Sequence, residues 1–165
     1  MASSSFVHLQ CQSEYSVKNS LIRVPKLIEC VQQAGMDSIA LTDDMSLFSA
    51  VKFYQKAIDS GVKPIIGAKV VVAFSSGQYD VIMLCQNNEG YLNLSELISK
   101  AYLKENGIEG VSVTEEQLLE HQSGLIMVAT SVSSDIAQLF LANESKLAEE
   151  KALSWKSIFA DRYYL

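Results

Sequence analysis

Short apolar runs alternate along this chain with stretches in which apolar residues recur every three or four positions. A short apolar run is typical of a buried strand, and the three-to-four spacing is typical of an amphipathic helix. The alternation continues over nearly the whole chain and favours β-α units over a sandwich or a helical bundle. The sequence therefore predicts an α/β fold.

The boundaries of the elements follow from turn and cap residues. We predict strands at Phe6–Cys11, Ser38–Thr42, Lys63–Phe74, Tyr79–Cys85 and Leu125–Thr130. We predict helices from Pro25 to Gly35, from Ser46 to Gly61, from Asn88 to about Lys104, from Thr114 to before Gly124, at Asp135–Ala142 and at Ser145–Phe159. The turn at residues 75–77 predicts a hairpin between the third and fourth strands. The final Tyr-Tyr-Leu run predicts the start of another strand, so we expect the natural polypeptide to continue beyond residue 165.

Helical spacing also predicts which residues face the core. The predicted faces are Leu27, Ile28, Val31 and Ala34 in the first helix, Leu47, Ala50, Val51, Tyr54 and Ile58 in the second, and Leu147, Leu153, Trp155 and Ile158 in the last. Thr114 and Gln117 have the spacing of a capping box, which predicts a helix start between them.

Composition narrows the classes of function. The chain has 13 Lys and Arg against 19 Asp and Glu, a formal net charge of −6. This balance argues against a domain that binds nucleic-acid phosphates through its bulk charge.

The three cysteines, Cys11, Cys30 and Cys85, lie far apart in apolar sequence, which predicts buried thiols in a reducing compartment. No apolar run is long enough to span a bilayer and the N-terminus has no signal peptide, so we expect a cytoplasmic protein without membrane contact.

Polar residues near the ends of the predicted strands are the candidates for chemistry, because α/β proteins build their sites there. They are His8, Gln10, Gln12, Asp43, Asp44, Lys69 and Asp80. One interpretation is a metal or phosphate site, but only His8 is a strong nitrogen donor and Lys69 would repel a cation. The other is structural, with His8 held by hydrogen bonds and the two aspartates capping the next helix. The residues alone favour the structural interpretation.

Other candidates carry weaker signals. His121 follows a polar helix, which predicts a solvated surface histidine. The serines Ser16, Ser49 and Ser131 lack a Gly-x-Ser-x-Gly setting. No phosphate-binding glycine motif occurs, and the cysteines have no basic neighbour in sequence that would lower their pKa. Lys100, Tyr102 and Lys104 are expected to form a solvated helix end.

Three segments together resemble a known family. They are FVHLQCQSEYSVKNSL, ALTDDMSLFSAVKFYQKAIDSGVKPIIGAKVVV and MLCQNNEGYLNLSELISKAY. In order and spacing they resemble the N-terminal polymerase-and-histidinol-phosphatase (PHP) domain of bacterial replicative DNA polymerase III alpha subunits. The resemblance implies a distorted β/α barrel of about seven strands, of which this chain would hold the N-terminal part and stop before the last strands. It also implies that the palm, thumb and fingers of the polymerase lie beyond residue 165.

The resemblance also implies a degenerate metal site. Metal-binding members carry His-x-His on the first strand, Thr-Asp-His after the second, a glutamate on the third and a histidine on the fourth. This chain keeps His8 and Thr42-Asp43, and the departures are Gln10, Gln12, Asp44, Lys69 and Asp80. The loss of nitrogen donors and the exchange of an anion for an ammonium remove most of the affinity for a metal. We therefore expect no metal, cofactor or catalytic residue in this chain, and an ion pair from Lys69 to Asp43, Asp44 or Asp80.

What the resemblance implies for function is a non-catalytic structural and docking module of a replicative polymerase. The implied partners are the proofreading exonuclease (epsilon) subunit and the rest of the polymerase, with DNA contacted mainly by other domains and Mg²⁺ expected in the polymerase site of the full-length protein. One alternative is a metal-dependent phosphoesterase or 3′-to-5′ exonuclease that uses His8, Asp43, Asp44 and Asp80 around Mn²⁺ or Mg²⁺. A third is a phosphate-binding module built on Lys69 and helix N-termini.

Overall fold

Helices and strands interleave along the chain, which confirms the predicted α/β class. A computed structural model describes residues 6–74, 77–103, 110–129 and 133–165. Internal contacts divide the chain into two units, residues 1–68 and residues 69–165, with the boundary inside a long strand.

The first unit contains α1 (Val24–Gln33), β1 (Ser38–Asp44), α2 (Ala50–Asp59) and the beginning of β2 (Lys63–Phe74), which lies beside β1. Pro25 lies in the first turn of α1, where its missing N–H removes no helical bond. Gly35 ends the helix with a φ of +68°, a conformation that strains residues with a Cβ. The core of this unit is a single cluster made of Val24, Leu27, Ile28, Val31, Ile39, Leu41, Phe53, Ala57 and Val62.

The predicted first strand, Phe6–Cys11, is wrong: residues 6–23 have no regular secondary structure. This segment still touches β1, because the Ala40 N–H donates to the His8 carbonyl at 2.9 Å and the Thr42 N–H to the Cys11 carbonyl at 2.7 Å. A step of two positions along β1 therefore corresponds to a step of three positions along the segment. A strand ladder needs equal steps on both sides, so this offset prevents regular pairing.

The second unit contains the remainder of β2 and the other elements of the chain. They are β3 (Gly77–Cys85), α3 (Asn88–Leu103), β4 (Val113–Thr114), α4 (Glu115–Glu120), β5 (Leu125–Ala129), α5 (Asp135–Leu141), α6 (Ser145–Phe159), a 3₁₀ turn (Ala160–Arg162) and β6 (Tyr163–Tyr164). The strand order in this unit is β2-β3-β5-β6, with the short β4 beside β2. β3 and β5 are antiparallel with Met83 opposite Met127, whereas β5 and β6 are parallel with Met127 opposite Tyr163.

Most of the predicted elements are confirmed. β2 and α6 have the predicted bounds, and β6 confirms the strand predicted from the final tyrosines. The capping box is also confirmed, since the Thr114 side chain accepts from the Gln117 N–H and the Gln117 side chain accepts from the Thr114 N–H. The predicted turn residues 75–76, the loop residues 105–109 with Lys104, and Thr130 and Ser131 lie outside the described residues. None of the described helices combines the length and the apolar character that crossing a bilayer requires.

The predicted faces of two helices are wrong in part, since only Ala50 of the first of them and Trp155 of the second are buried as predicted. In α2 the buried residues are Ala50, Phe53 and Ala57, while Val51, Tyr54 and Ile58 are exposed. In α6 the buried residues are Ala148, Trp155 and Phe159, while Leu147 and Leu153 are exposed. Each helix carries two apolar stripes, and packing against the unit's own core selects the stripe that spacing alone does not identify.

The start of α2 also differs from the prediction. The helix begins at Ala50 with Ser49 at the N-cap, and Ser46 lies outside it. The Ser46 hydroxyl instead accepts a bond from the Phe48 N–H at 3.2 Å, which is a local turn that competes with helical geometry.

Candidate functional site

Asp43, at the end of β1, is a buried carboxylate that is fully occupied by hydrogen bonds within the first unit. It is 1% exposed and accepts four hydrogen bonds. The Ser13 N–H and the Ser16 hydroxyl donate to Oδ1 at 2.6 and 2.8 Å. The Ser13 hydroxyl donates to Oδ2 at 2.8 Å, and the Ser49 hydroxyl donates to the same oxygen. We refer to Asp43, Ser13, Ser16 and Ser49 as the serine cradle.

The cradle joins three parts of the first unit. Ser13 and Ser16 belong to a tight turn closed by a bond from the Ser16 N–H to the Ser13 carbonyl at 2.9 Å. Ser49 is the N-cap residue of α2. Asp43 therefore fixes the irregular N-terminal segment and the start of α2 to the end of β1, and it does not cap the helix directly as the structural interpretation expected.

Asp44 is held by neutral side chains of the same segment. Gln12 donates its amide to Oδ1 at 2.7 Å, and Asn19 donates to Oδ2 at 2.5 Å. The Asp44 N–H donates to the Ser16 hydroxyl at 3.0 Å. Gln12 and Asp44 are both predicted candidate-site residues, and the structure joins them by a hydrogen bond in which Gln12 is the donor.

His8 and Gln10 are exposed, and the ring of His8 packs edge-on against Phe6 with 4.8 Å between ring centroids. The predicted alternation of residues 8, 10 and 12 on one strand face does not form, because the segment is not a strand. Within the first unit the structure brings Gln12 to Asp44, while the contacts of His8 are to Phe6 and, through its carbonyl, to β1.

In the second unit, Lys69 on β2 and Asp80 on β3 form an ion pair with 3.6 Å between Nζ and Oδ2. Both side chains are partly buried, at 18% and 24% exposed. This pair is one of the three alternatives predicted for Lys69. The ammonium therefore lies within reach of a carboxylate at a position where the family pattern has a metal ligand.

The chemistry open to these groups is narrow. Among residues 6–74, 77–103, 110–129 and 133–165, no group of three or more His, Cys, Asp or Glu side chains is arranged to hold a metal ion. A carboxylate oxygen that binds a cation must direct a lone pair at it, and the Asp43 oxygens accept two donors each. The arrangement therefore suits stabilisation of the fold better than ligation.

Sequence reasoning missed the role of Ser13, Ser16 and Ser49. Ser16 and Ser49 entered it only as candidate nucleophiles, and Ser13 not at all. Ser49 lies only six positions from Asp43, whereas the bonds from Ser13 and Ser16 join residues 30 and 27 positions apart in the chain. A local sequence pattern carries no signal for a contact of that range.

His121 corrects another prediction, since it is 5% exposed and not a solvated surface residue. Its Nδ1 lies 2.7 Å from the Gln117 carbonyl oxygen, and its Nε2 lies 3.0 Å from Lys100 Nζ. A carbonyl only accepts, so Nδ1 carries the proton and Nε2 accepts from the ammonium. Lys100 also bonds Glu96 at 2.9 Å, which lowers the pKa of that carboxyl. His121 is thus a structural residue that ties α3 to the end of α4.

The cysteine prediction is wrong for Cys30, which is exposed on α1, while Cys11 and Cys85 are half-buried. Burial raises the pKa of the Cys11 thiol and raises that of Cys85 to about 12. All three are free thiols.

Comparison with known proteins gives a family match over most of the chain. The PHP domain family model matches residues 8–165. The chain is 36% identical over its whole length to a DNA polymerase III subunit alpha from Vibrio cholerae and 34% identical over its whole length to the one from Escherichia coli K12. In each case it spans 14% of the relative's length. A solved amidohydrolase from Chromobacterium violaceum is similar with a TM-score of 0.48 and 15% identity, over 58% of this chain and 32% of that one.

Proposed function

Because this chain belongs to the PHP domain family, we propose that it is a non-catalytic structural and docking module of a bacterial replicative DNA polymerase, with a metal site that has lost its ligands. The proposal includes the proofreading exonuclease (epsilon) subunit as a partner and the cytoplasm as the location. DNA synthesis, with its Mg²⁺, belongs to other domains of the longer polypeptide.

The observation that carries the proposal is the serine cradle. At a position where metal-binding members keep an aspartate next to a histidine, Asp43 accepts four bonds from neutral donors of its own unit. The neighbouring Asp44 accepts the amide of Gln12, a residue at another degenerate position. A metal would have to displace these donors and leave buried hydroxyls unpaired, which costs free energy.

The ion pair of Lys69 with Asp80 supports the same interpretation independently, since it lies in the other unit. An ammonium beside a candidate carboxylate ligand disfavours a divalent cation there by direct repulsion. It also weakens the phosphate-binding alternative, because part of the Lys69 charge is already compensated.

A docking role requires surface that a partner can cover, and α2 offers it. Val51, Tyr54 and Ile58 on this helix are between 51% and 66% exposed and recur at helical spacing, and Phe48, just before the helix, is 80% exposed. Exposed apolar groups arranged along one helix face are typical of protein interfaces, whereas DNA-binding surfaces are basic. The net charge of −6 also favours a protein partner over DNA.

The test of docking mixes the chain with the cognate exonuclease subunit and follows co-elution in gel filtration. We expect a complex, and we expect Val51→Asp to abolish it while Leu153→Asp on α6 leaves it intact. Both side chains are exposed, so neither change should cost more than about 0.5 kcal/mol of stability. Absence of a complex with the chain and also with the longer polymerase polypeptide would contradict docking, whereas a complex insensitive to Val51→Asp would only exclude the α2 surface.

The enzyme alternative has its own test. Titration with Mn²⁺ and Zn²⁺ in the presence of a phosphodiester substrate should give no hydrolysis. Metal-dependent turnover that is lost in His8→Ala would establish the phosphoesterase or exonuclease in its place. His8 is exposed, so this variant should fold like the parent and the comparison stays interpretable.

A further inference from the structure

The second unit contains a cavity that lies apart from the serine cradle and from the pair of Lys69 with Asp80. Its volume is about 600 Å³, within the range of small-molecule sites. It lies between α5, α6 and the ends of β2 and β3. Phe74, Tyr79, Leu139 and Leu147 supply its apolar lining, and the two aromatic rings lie 5.6 Å apart.

The charges around the cavity are mostly negative. Among the described residues, the lining includes the carboxylates Glu115, Asp135, Glu144 and Glu150 and one cation, Lys151. Lys151 is already bound to Glu115, with 2.6 Å between Nζ and Oε1. The Tyr79 hydroxyl donates to the same oxygen at 2.8 Å. The Lys151 ammonium is therefore already paired with a carboxylate, and three further carboxylates line the cavity.

Asp135 lies deepest among these carboxylates, at 5% exposed. Its partners in the described part of the chain are neutral: the Ile136 N–H at 2.8 Å and the Trp155 indole N–H at 2.7 Å. Burial raises the pKa of the Tyr163 phenol and the negative charge of Asp135 adds to this effect, whereas for the pKa of Tyr79 burial and the bond to Glu115 come first and Asp135 contributes less. A buried carboxylate without a cationic partner favours the entry of a positive group.

We propose that this cavity binds a small amphipathic organic cation, an amine or guanidinium attached to an aryl or alkyl body. The apolar body would lie against Phe74, Tyr79 and Leu139. The charged group would point to Asp135 and to the two exposed glutamates of the lining, Glu144 and Glu150, which we call the rim glutamates. Aromatic rings beside carboxylates suit such a ligand, because a ring face and an anion both attract a cation. Anions of the same shape are repelled, and neutral molecules lose the electrostatic part of the binding.

The chain contains a reporter for this site. Trp155 is its only tryptophan, and the indole N–H is bonded to Asp135. The indole resonance in a proton–nitrogen NMR spectrum should shift saturably as phenethylamine is added. Phenethyl alcohol should bind more weakly, and hydrocinnamate, the anion of similar shape, should give no saturable shift.

Variants of the rim glutamates test whether the shift of the indole resonance comes from binding in this cavity. Glu144 and Glu150 are exposed, so Glu144→Gln with Glu150→Gln should leave the fold intact and raise the Kd for phenethylamine about fivefold. Glu149→Gln, on the same helix but outside the lining, is the matched control and should keep the parental Kd.

Three results would overturn the proposal. They are no saturable shift with phenethylamine, equal affinity for the amine and the alcohol, and equal weakening by the control and the double variant. Circular dichroism of each variant confirms that the compared proteins are folded.

Discussion

At the scale of single residues, the Asp43 carboxylate connects the fold to the proposed loss of metal chemistry. We predict that Asp43→Asn lowers the free energy of unfolding by about 2–4 kcal/mol, because the new amide NH₂ would face hydroxyl and N–H donors in a buried site. Asp37→Asn, at an exposed position, is the control and should change stability by no more than about 0.5 kcal/mol. Urea unfolding measures both. Equal losses in the two variants would mean that the cradle does not stabilise the fold.

Two tyrosines of the second unit form a natural pair for comparison. The Tyr79 hydroxyl donates to Glu115, whereas the buried Tyr163 hydroxyl has no hydrogen-bond partner in the described residues. We expect Tyr79→Phe to cost about 1 kcal/mol, since it removes a bond. Tyr163→Phe should be neutral or stabilising, because it removes an unpaired polar atom. Thermal or urea unfolding distinguishes them, and a larger loss for Tyr163→Phe would be the contrary result.

Cysteine reactivity should follow exposure and thiolate content. Alkylation by iodoacetamide at pH 8 should modify Cys30 first, because its side chain is exposed. Burial raises the pKa of Cys85 to about 12, so its thiol stays protonated at pH 8 and its rate should keep rising as the pH approaches that value. Mass spectrometry of digested samples gives the order. Early modification of Cys85 in folded protein would contradict the burial described for it.

At the scale of elements, sequence periodicity predicts the existence of helices better than their orientation. α2 has one stripe with Val51, Tyr54 and Ile58, and another with Phe53 and Ala57. The first stripe has more large apolar side chains, and the second is the one packed on α1 and β1. When a helix has two candidate stripes, the elements that pack against it decide which stripe is buried, and these elements lie elsewhere in the chain.

This orientation of α2 is testable with adjacent residues. Phe53→Ala should lower the free energy of unfolding by about 3–5 kcal/mol, because the side chain is 0% exposed and its removal leaves a cavity. Tyr54→Ala should cost less than about 1 kcal/mol, since half of its side chain is already in solvent. Denaturant unfolding of both variants measures the two losses of free energy and shows which face of α2 is buried. A larger effect at Tyr54 would restore the face that spacing predicted.

The irregular segment at residues 6–23 shows the other limit of prediction at this scale. Its apolar alternation is that of a strand, and two of its carbonyls do accept bonds from β1. The serines that follow fold the chain back onto Asp43, which sets the path of the segment. Side-chain bonds to one buried acid thus replace the backbone ladder that alternation predicts.

At the scale of the whole molecule, the sequence identified the positions of the candidate site but not its architecture. The prediction of weak metal affinity rests on the residue types at Gln10, Gln12, Asp44, Lys69 and Asp80, since donor chemistry is a property of side-chain type. The serine cradle depends on contacts between distant segments, and the pair of Lys69 with Asp80 was one of three alternatives. His121 was misjudged because its polar neighbours in sequence do not reveal that α3 covers it.

We propose that this chain uses its candidate ligands to hold its own fold. Electron paramagnetic resonance of Mn²⁺ tests it directly, because the signal of the hydrated ion falls when the ion binds to protein. We predict that an equimolar amount of the chain leaves that signal unchanged. A stoichiometric loss of signal that is reversed by Asp43→Asn or by His8→Ala would contradict the loss of the metal site.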